Sequence, residues 1–300
     1  MLTEIFYEID NFSKNFQKEW SKYLLSEEVD MLSPTCKMSL SEIMTIVVFF
    51  HSSNYRTFKH YYQNYVCKSL TKDFPHLLSY NRFVEVMQSS LIPLLFYLKN
   101  FRKGKCSAIS FVDSTKLVVC HNRRINQHKV FKGLAKRGKS SIGWFYGFKL
   151  HIVVNEVGEI INFSLTPGNV DDRNRNVFQD LTKDLFGKLF GDRGYVSEPL
   201  FNELKSQGIE LITRIRKNMK NRILPLIDKI LLRKRAVIET INDELKNICQ
   251  IEHSRHRSLH NFLVNLLSGL VAYSFKPQKP SINLSPKDLE ILGNLPAYSL

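Results

Sequence analysis

The 300-residue sequence has no apolar run long enough to cross a membrane. Its longest candidates, Ile43–Phe50 and Leu91–Leu98, fall well short of the roughly 18 residues a helical span needs. The N-terminus, Met1-Leu-Thr-Glu-Ile, lacks the basic patch, apolar run and small-residue cleavage site of a secretory leader. Cysteine is sparse and unpatterned: Cys36, Cys67, Cys106, Cys120 and Cys249 are odd in number and form no C-x-x-C pair. That argues against a disulfide framework and a zinc finger, and the expectation is reduced, mostly buried thiols of a cytosolic protein with no membrane partner. There is no internal repeat and no low-complexity tract. Acid is scarce relative to base: 28 Asp and Glu face 43 Lys and Arg, for a net charge of +15.

That excess is concentrated. His121–Lys139 holds seven Lys/Arg and no acid, and Arg214–Arg235 holds nine against the single acid Asp228, so together these stretches account for the whole net charge. Focused positive charge is what a phosphate-neutralising protein needs. The bland alternative is two solvated loops. Charge does not by itself separate DNA, RNA and anionic membrane. A membrane would favour a basic amphipathic helix, however, and the first stretch is rich in Gly, Asn and His and reads as a loop.

The first hundred residues read as helical. Ser39-Leu-Ser-Glu42 has the form of a capping box, in which the Ser hydroxyl and the Glu carboxylate each accept from an orphan amide. Ile43–Phe50 continues that helix, Ser52-Ser-Asn54 breaks the pattern, and Tyr55–Val66 restarts it. A further helix from Asn81 meets Pro93, which cannot donate to the ladder. Short helices with tight turns suit a helix-turn-helix module, with a plain helical bundle as the alternative. Composition changes after Lys103-Gly-Lys105. Three domains are expected: residues 1–104, helical and DNA-end-binding; residues 105–276, catalytic; and residues 277–300, a C-terminal tail.

Beyond that boundary Ser107–Val112 is a short apolar strand ending in Asp113. Trp144–Asn155 and Ile160–Thr166, separated by Glu156-Val-Gly158, read as a hairpin. A polar loop, Pro167–Arg173, precedes a helix of about ten residues ending at Gly187. Lys188–Asp192 is a strand, Glu198–Gln207 a helix stopped by Gly208, Ile209–Thr213 a strand, and Pro225–Gln250 one long helix. The order β-β-β-α-β-α-β-α predicts an α/β fold with a mixed sheet, antiparallel at its start and parallel in its second half.

In that order the strands bearing Asp113 and Asp192 lie side by side in the sheet centre. A strand-end carboxylate costs several kcal/mol of desolvation unless something positive meets it, and two such neighbours raise each other's pKa. A divalent cation answers both problems. Capping of a turn is the ordinary alternative for either residue alone. Glu239 adds a third acid. With residues 235–248 on a helix at about 100° each, Val237, Ile238, Ile241, Leu245 and Ile248 form a buried stripe. Arg235, Glu239 and Lys246 form a separate narrow row, where an exposed Arg–Glu pair would contribute only a few tenths of a kcal/mol. Three acids on neighbouring elements suit a hard-oxygen site for two Mg²⁺ ions about 3.5–4 Å apart, with Mn²⁺ as a substitute. Such a pair activates an attacking hydroxyl or water and stabilises the leaving alkoxide of a phosphodiester.

Phe111-Val-Asp113-Ser-Thr115, Gly191-Asp192-Arg-Gly-Tyr195 and Arg235-x₃-Glu239-x₆-Lys246 resemble the three acid-bearing motifs of DDE insertion-sequence transposases. Cys120-His-Asn-Arg-Arg124, Gly143-Trp-Phe-Tyr-Gly-Phe-Lys-Leu-His151, Thr166-Pro-Gly-Asn169 and Ile251-Glu-His-Ser-Arg-His-Arg-Ser258 are similar to one bacterial branch, the nine-eighty-two insertion-sequence family. The likeness runs from about residue 30 to about residue 280. Asp113-Ser-Thr alone is a weak signal; the three motifs in order, with the Arg/Glu/Lys row, are a strong one. The resemblance implies a ribonuclease H-like catalytic domain behind a small all-helical one, and metal-dependent cleavage and strand transfer at the terminal inverted repeats of a DNA element. It further implies target DNA as a second substrate, a synaptic homodimer and a nucleoid-associated cytoplasmic setting. The 47 residues from Asp192 to Glu239 leave no room for a large inserted domain.

Carried over, Asp113 bridges both metals, Asp192 holds one and Glu239 the other, while Arg235 and Lys246 contact phosphates. Arg123, Arg124, Lys129, Lys132, Lys136, Arg137, Lys139, Arg214, Arg216 and Lys217 are candidate DNA contacts from the two basic stretches. Trp144 and Tyr146 could stack on bases, though packing in the strand core is the expected role. Cys249, His253, His256 and His260 cluster in sequence, but Arg255 and Arg257 oppose a cation, and structural or phosphate-facing histidines are favoured over zinc. Asp171 and Asp172 are read as caps of the following helix, not as ligands. The alternatives are an inactive or domesticated DNA-binding relative, and a ribonuclease H-like nuclease without strand transfer.

Overall fold

The computed structural model describes residues 1–26, 36–141, 143–214, 224–252 and 256–282. In chain order it has α1 (Leu2–Ser26), α2 (Leu40–Phe50), α3 (Phe58–Tyr61), a π-helical turn Tyr62–Val66, α4 (Cys67–Ser69), α5 (Tyr80–Val86) and α6 (Leu91–Phe101). Then follow β1 (Ile109–Cys120), β2 (Lys136–Ser140), β3 (Gly143–Asn155), β4 (Ile160–Pro167), α7 (Arg175–Thr182), β5 (Gly187–Gly191), α8 (Glu198–Ser206) and β6 (Ile209–Thr213). Last come α9 (Leu226–Lys234), α10 (Ala236–Asn247) and α11 (Leu259–Ser274). No described helix is long and apolar enough to cross a membrane.

Two compact units result. One comprises residues 1–102, 128–132 and 244–276, and the other residues 103–127, 133–243 and 277–300. The first is helical. The Ser39/Glu42 capping box forms as expected, the Ser39 hydroxyl accepting from the Glu42 amide and the Glu42 carboxylate from the Ser39 amide. The helix expected from Asn81 breaks before Pro93, through a 3₁₀ turn at Met87–Ser90. Pro93 thereby falls in the first turn of α6, where a missing amide costs nothing. The apolar helix α11, which the sequence pattern had not foretold, packs on α2 and α6. Buried His51 is clamped between the Cys249 carbonyl and the Ser268 hydroxyl.

The second unit is mixed α/β, with strand order β2-β3-β1-β5-β6 and β4 also paired to β3. β1 runs antiparallel to β3 and parallel to β5, and β5 parallel to β6. One sheet face, with Val112 and Leu189, is covered by α7 and α8 in a core that includes Phe178, Leu181, Leu200 and Leu204. Side chains alternate along a strand, so the register partners Phe111 and Phe190 lie on the opposite face, their rings 5.5 Å apart. Lys188 shares that face and donates to Asp228 of α9 at 2.6 Å. Asp228 is only 1% exposed, so this pair fixes α9, and with it α10, over the Phe111/Phe190 side.

Four expectations change. β1 does not end at Asp113 but continues to Cys120, because β3 supplies hydrogen-bond partners along its whole length. The basic stretch His121–Lys139 is not all loop: it contains a 3₁₀ turn at Asn122–Gln127 and closes in β2. β2 and β4 share one edge of β3, β2 against residues 143–147 and β4 against residues 148–154. Where they meet, a Cβ on Gly138 would stand 2.1 Å from the Gly168 carbonyl oxygen, so the junction tolerates only glycine. Finally, the single helix expected over 225–250 is two, turning at Arg235, and Ile248, past the end of α10, is 48% exposed instead of completing the buried stripe.

Candidate functional site

Parallel pairing of β1 with β5 ends at Phe111↔Phe190. Asp113 and Asp192 each lie two residues beyond, and the element order brings them side by side at the carboxyl end of the β5 strand. Asp113 is still in β1, paired to Ile152 of β3. Asp192 has left β5 and caps the 3₁₀ turn Arg193–Tyr195, its Oδ1 accepting from the Gly194 amide at 2.7 Å. A Cβ on Gly194 would meet Asp192 Oδ1 at 2.8 Å, so a larger residue there would press on the capping carboxylate.

Asp113 is largely buried, its side chain 21% exposed. Burial pushes its carboxyl up to about 7; nearby Arg235 opposes the rise, and Asp192 and Glu239 reinforce it. Asp113 therefore feels the charge of both other sequence-predicted acids. Asn242 Nδ2, one turn beyond Glu239 on α10, donates to Asp113 Oδ2 at 3.0 Å. Arg235 Nη1 stands 3.8 Å from Asp113 Oδ1, while Nη2 is ion-paired with Glu239 Oε1. Arg235 is thus the positive charge between the two acids. Glu239 is 58% exposed and tied by that pair. Among the described residues no three His, Cys, Asp or Glu stand close enough as placed to hold a metal ion. Lys246 pairs with Glu252 at 3.2 Å.

Tyr195 is fully buried behind these acids. Burial first, then the charges of Asp113, Asp172 and Asp192, drive its hydroxyl far above the usual phenol range. Asp172 is the fourth carboxylate of this neighbourhood, and Lys149 neutralises it at 2.9 Å. His151, also fully buried, bonds the Thr166 hydroxyl at 2.9 Å and lies 4.0 Å from Asp172. Burial lowers it to about 4, against the pull of Asp172 and with the push of Lys149, so the ring is neutral. The capping expectation for Asp171 and Asp172 is corrected. Asn174 caps α7, while Asp171 turns back onto Arg173 at 2.8 Å. A polar side chain beside a chain break looks the same in sequence whichever residue wins the cap.

Of the remaining candidates, Arg123, Arg124, Lys129, Lys132, Lys136, Arg137, Lys139 and Arg214 are exposed. Arg216, Lys217 and His253 lie outside the described residues. Burial pushes the Cys249 thiol up to about 12, as suits a structural cysteine. Tyr146 packs inside as expected, but Trp144 is 58% exposed, a correction. Trp144 sits one residue into the β2–β3 hairpin, paired with the exposed Lys139. Sequence inspection passed over Asn242, Lys149 and His151; the one available signal was Asn242 at i+3 from Glu239, a spacing that puts both on one helix face.

An aspartate within β1, an aspartate just past β5 and a helix-borne glutamate thus gather around a partly buried arginine. The Transposase DDE domain family model matches residues 103–259, more than half the chain and all three acids, and the chain belongs to that family. Among solved structures it resembles the piggyBac transposase synaptic complex with hairpin DNA, at 11% identity and TM-score 0.43, over 97% of this chain and 76% of that one. It also resembles the Mos1 transposase paired-end complex with left transposon end (12%, TM-score 0.23, 89% and 88%) and the Mos1 mariner paired end complex with Mn (13%, TM-score 0.24, 88% and 87%). These likenesses are too distant to carry an argument. No curated protein matches the sequence.

Proposed function

We propose that this chain is a bacterial insertion-sequence transposase of the nine-eighty-two family, with a ribonuclease H-like catalytic unit that cuts and joins DNA at the ends of its element. One observation carries the reading: Asp113 and Asp192 occupy equivalent positions two residues past a parallel strand pair, with Glu239 linked to Asp113 through Arg235.

The residues fit a divalent cation. All three donors are carboxylate oxygens, the set that Mg²⁺ and Mn²⁺ prefer. Asp113 is a buried carboxylate whose pKa is pushed up to about 7, so it gains from any full positive charge beside it. Asp113, Asp192 and Glu239 would hold the cations, which when bound supply Lewis acidity at the attacking and leaving oxygens. Glu239 can exchange its exposed ion pair for a cation. Arg235, so released, becomes available to a phosphate, for which its planar fork is suited. Lys246 would reach a phosphate by giving up Glu252. Asn242 holds the orientation of Asp113, and Gly194 that of Asp192. His151, neutral at physiological pH, adds no charge behind the site. The exposed cations of residues 121–139 track the DNA backbone, together with Arg214, Arg216 and Lys217.

In this reading residues 1–104 bind the terminal inverted repeats, residues 105–276 do the chemistry, residues 277–300 are a tail, and two copies act together on paired ends and target DNA in the nucleoid. The test is cleavage of an inverted-repeat duplex in Mg²⁺ or Mn²⁺, followed by joining to a target plasmid. Cleavage that survives Asp113→Asn removes the metal assignment. Binding without cleavage in either metal points to a domesticated DNA-binding relative, and cleavage without joining to a plain nuclease.

A further inference from the structure

We propose that the cleft between β2 and the loop after β4 receives one unstacked nucleotide of a DNA strand, its base stacked on Trp144 and its phosphate on Arg137 and Lys139. The inference rests on DNA being the substrate, as above.

Lys139 and Trp144 are register partners in the β2–β3 hairpin, as are Arg137 and Tyr146. Partners share a sheet face, so both cations and both rings project to the same side. Tyr146 is buried there, whereas Trp144 holds a 58% exposed indole in water. The residue is anchored through its backbone, and its ring is met by a cation. Asn122 Nδ2 donates to the Trp144 carbonyl at 2.7 Å, and the Lys139 ammonium lies 5.9 Å from the ring centroid. Beside the indole opens a cleft of about 500 Å³, within the size range of small-ligand sites. Its floor is Gly138 against Gly168, kept free of side chains by the close approach of the two backbones. Its far wall is Gly194, whose amide binds the Asp192 carboxylate, so the cleft reaches the acids.

The charge in the cleft selects the ligand. Arg137, Lys139, Lys149 and Arg173 face Asp171 and Asp172. Both carboxylates are already ion-paired, Asp171 with Arg173 at 2.8 Å and Asp172 with Lys149 at 2.9 Å. Arg137 and Lys139 form no ion pair among the described residues and remain for an anion. A flat aromatic ring flanked by two uncommitted cations matches a base with its phosphate. A base inside a duplex has both faces covered by its neighbours, so the ligand is a nucleotide out of the stack, at a single-stranded end or beside the cut.

The chain has two tryptophans, Trp20 and Trp144, so Trp20→Phe leaves Trp144 as the only indole fluorophore. Titrating this full-length variant with a short oligothymidylate should quench its emission, with the midpoint that anisotropy of a labelled copy gives. A blunt duplex should bind with far less quenching. Trp144→Ala should weaken oligothymidylate binding about 5- to 150-fold, with Trp144→Phe in between and the melting temperature unchanged, since the ring covers no core. Bound oligonucleotide without quenching, unchanged affinity in Trp144→Ala, or no oligothymidylate binding at all would each overturn the nucleotide cleft. Inverted-repeat cleavage run on the same Trp20→Phe preparation separates the two ideas. Cleavage without quenching defeats the cleft alone, and quenching without cleavage leaves the cleft standing while the transposase reading falls.

Discussion

Asp113→Asn should stabilise the cation-free protein at pH 8 and do much less at pH 5. The folded carboxyl titrates at about 7 against an ordinary 3.8, so the fold prefers the protonated form. Stability tied to this group is complete below about pH 4 and is lost as pH rises through 7. At 1.36 kcal/mol per pKa unit, this carboxyl costs the fold up to about 4 kcal/mol at pH 8, where it is ionised, and about 1.7 kcal/mol at pH 5, where folding must protonate it. With 21% of the side chain still exposed, roughly half of each figure is a fair expectation. Asparagine is neutral throughout, and its side-chain oxygen can still accept from Asn242. At roughly 2–4 °C per kcal/mol for a chain of this size, the variant should melt about 4–8 °C above wild type at pH 8 in EDTA, and about 1–4 °C above it at pH 5. Mg²⁺ should then raise the wild-type midpoint by mass action and leave the variant unmoved, while the variant cleaves no DNA. Equal gains at the two pH values would refute the burial argument. Equal stabilisation of both proteins by Mg²⁺ would refute the cation site.

Asn242→Ala removes the amide that orients Asp113 and should lower cleavage about 10- to 100-fold with duplex affinity unchanged; a loss of affinity instead of rate would place Asn242 in binding. Lys188→Ala strands the buried Asp228 without its partner and should cost about 3–5 kcal/mol in urea unfolding, so an unchanged midpoint would mean that α9 is held some other way. Arg123→Ala or Lys136→Ala should each flatten the salt dependence of DNA binding by about one unit of slope, and an unchanged slope would take these residues out of the interface.

The neighbourhood of Asp113 and Asp192 was legible because alternating strands and helices leave few ways to connect parallel strands. The Ser39 capping box and the strand Ile209–Thr213 were legible because local hydrogen bonding or an apolar run decides them. Harder to see was the second half of β1. Asp113-Ser-Thr-Lys116 has no apolar face, and only β3, more than thirty residues on, makes it a strand. For the same reason Lys136–Ser140 looked like loop: an edge strand needs backbone partners, not an apolar pattern. The turn at Arg235 has no Pro or Gly to announce it.

Periodicity, caps and charge run over a few residues at a time, and at that range the sequence alone determined the helical start, the α/β order, the focused positive charge and the residue types able to hold a hard cation. Which face of the sheet α10 covers, the seating of Arg235 between Asp113 and Glu239, the amide of Asn242 on Asp113 and the indole of Trp144 in water were decided only by the tertiary structure. Each of these depends on residues tens to more than a hundred positions apart, or on what packs above them, and such separations are closed by the burial of the whole core instead of by any local preference.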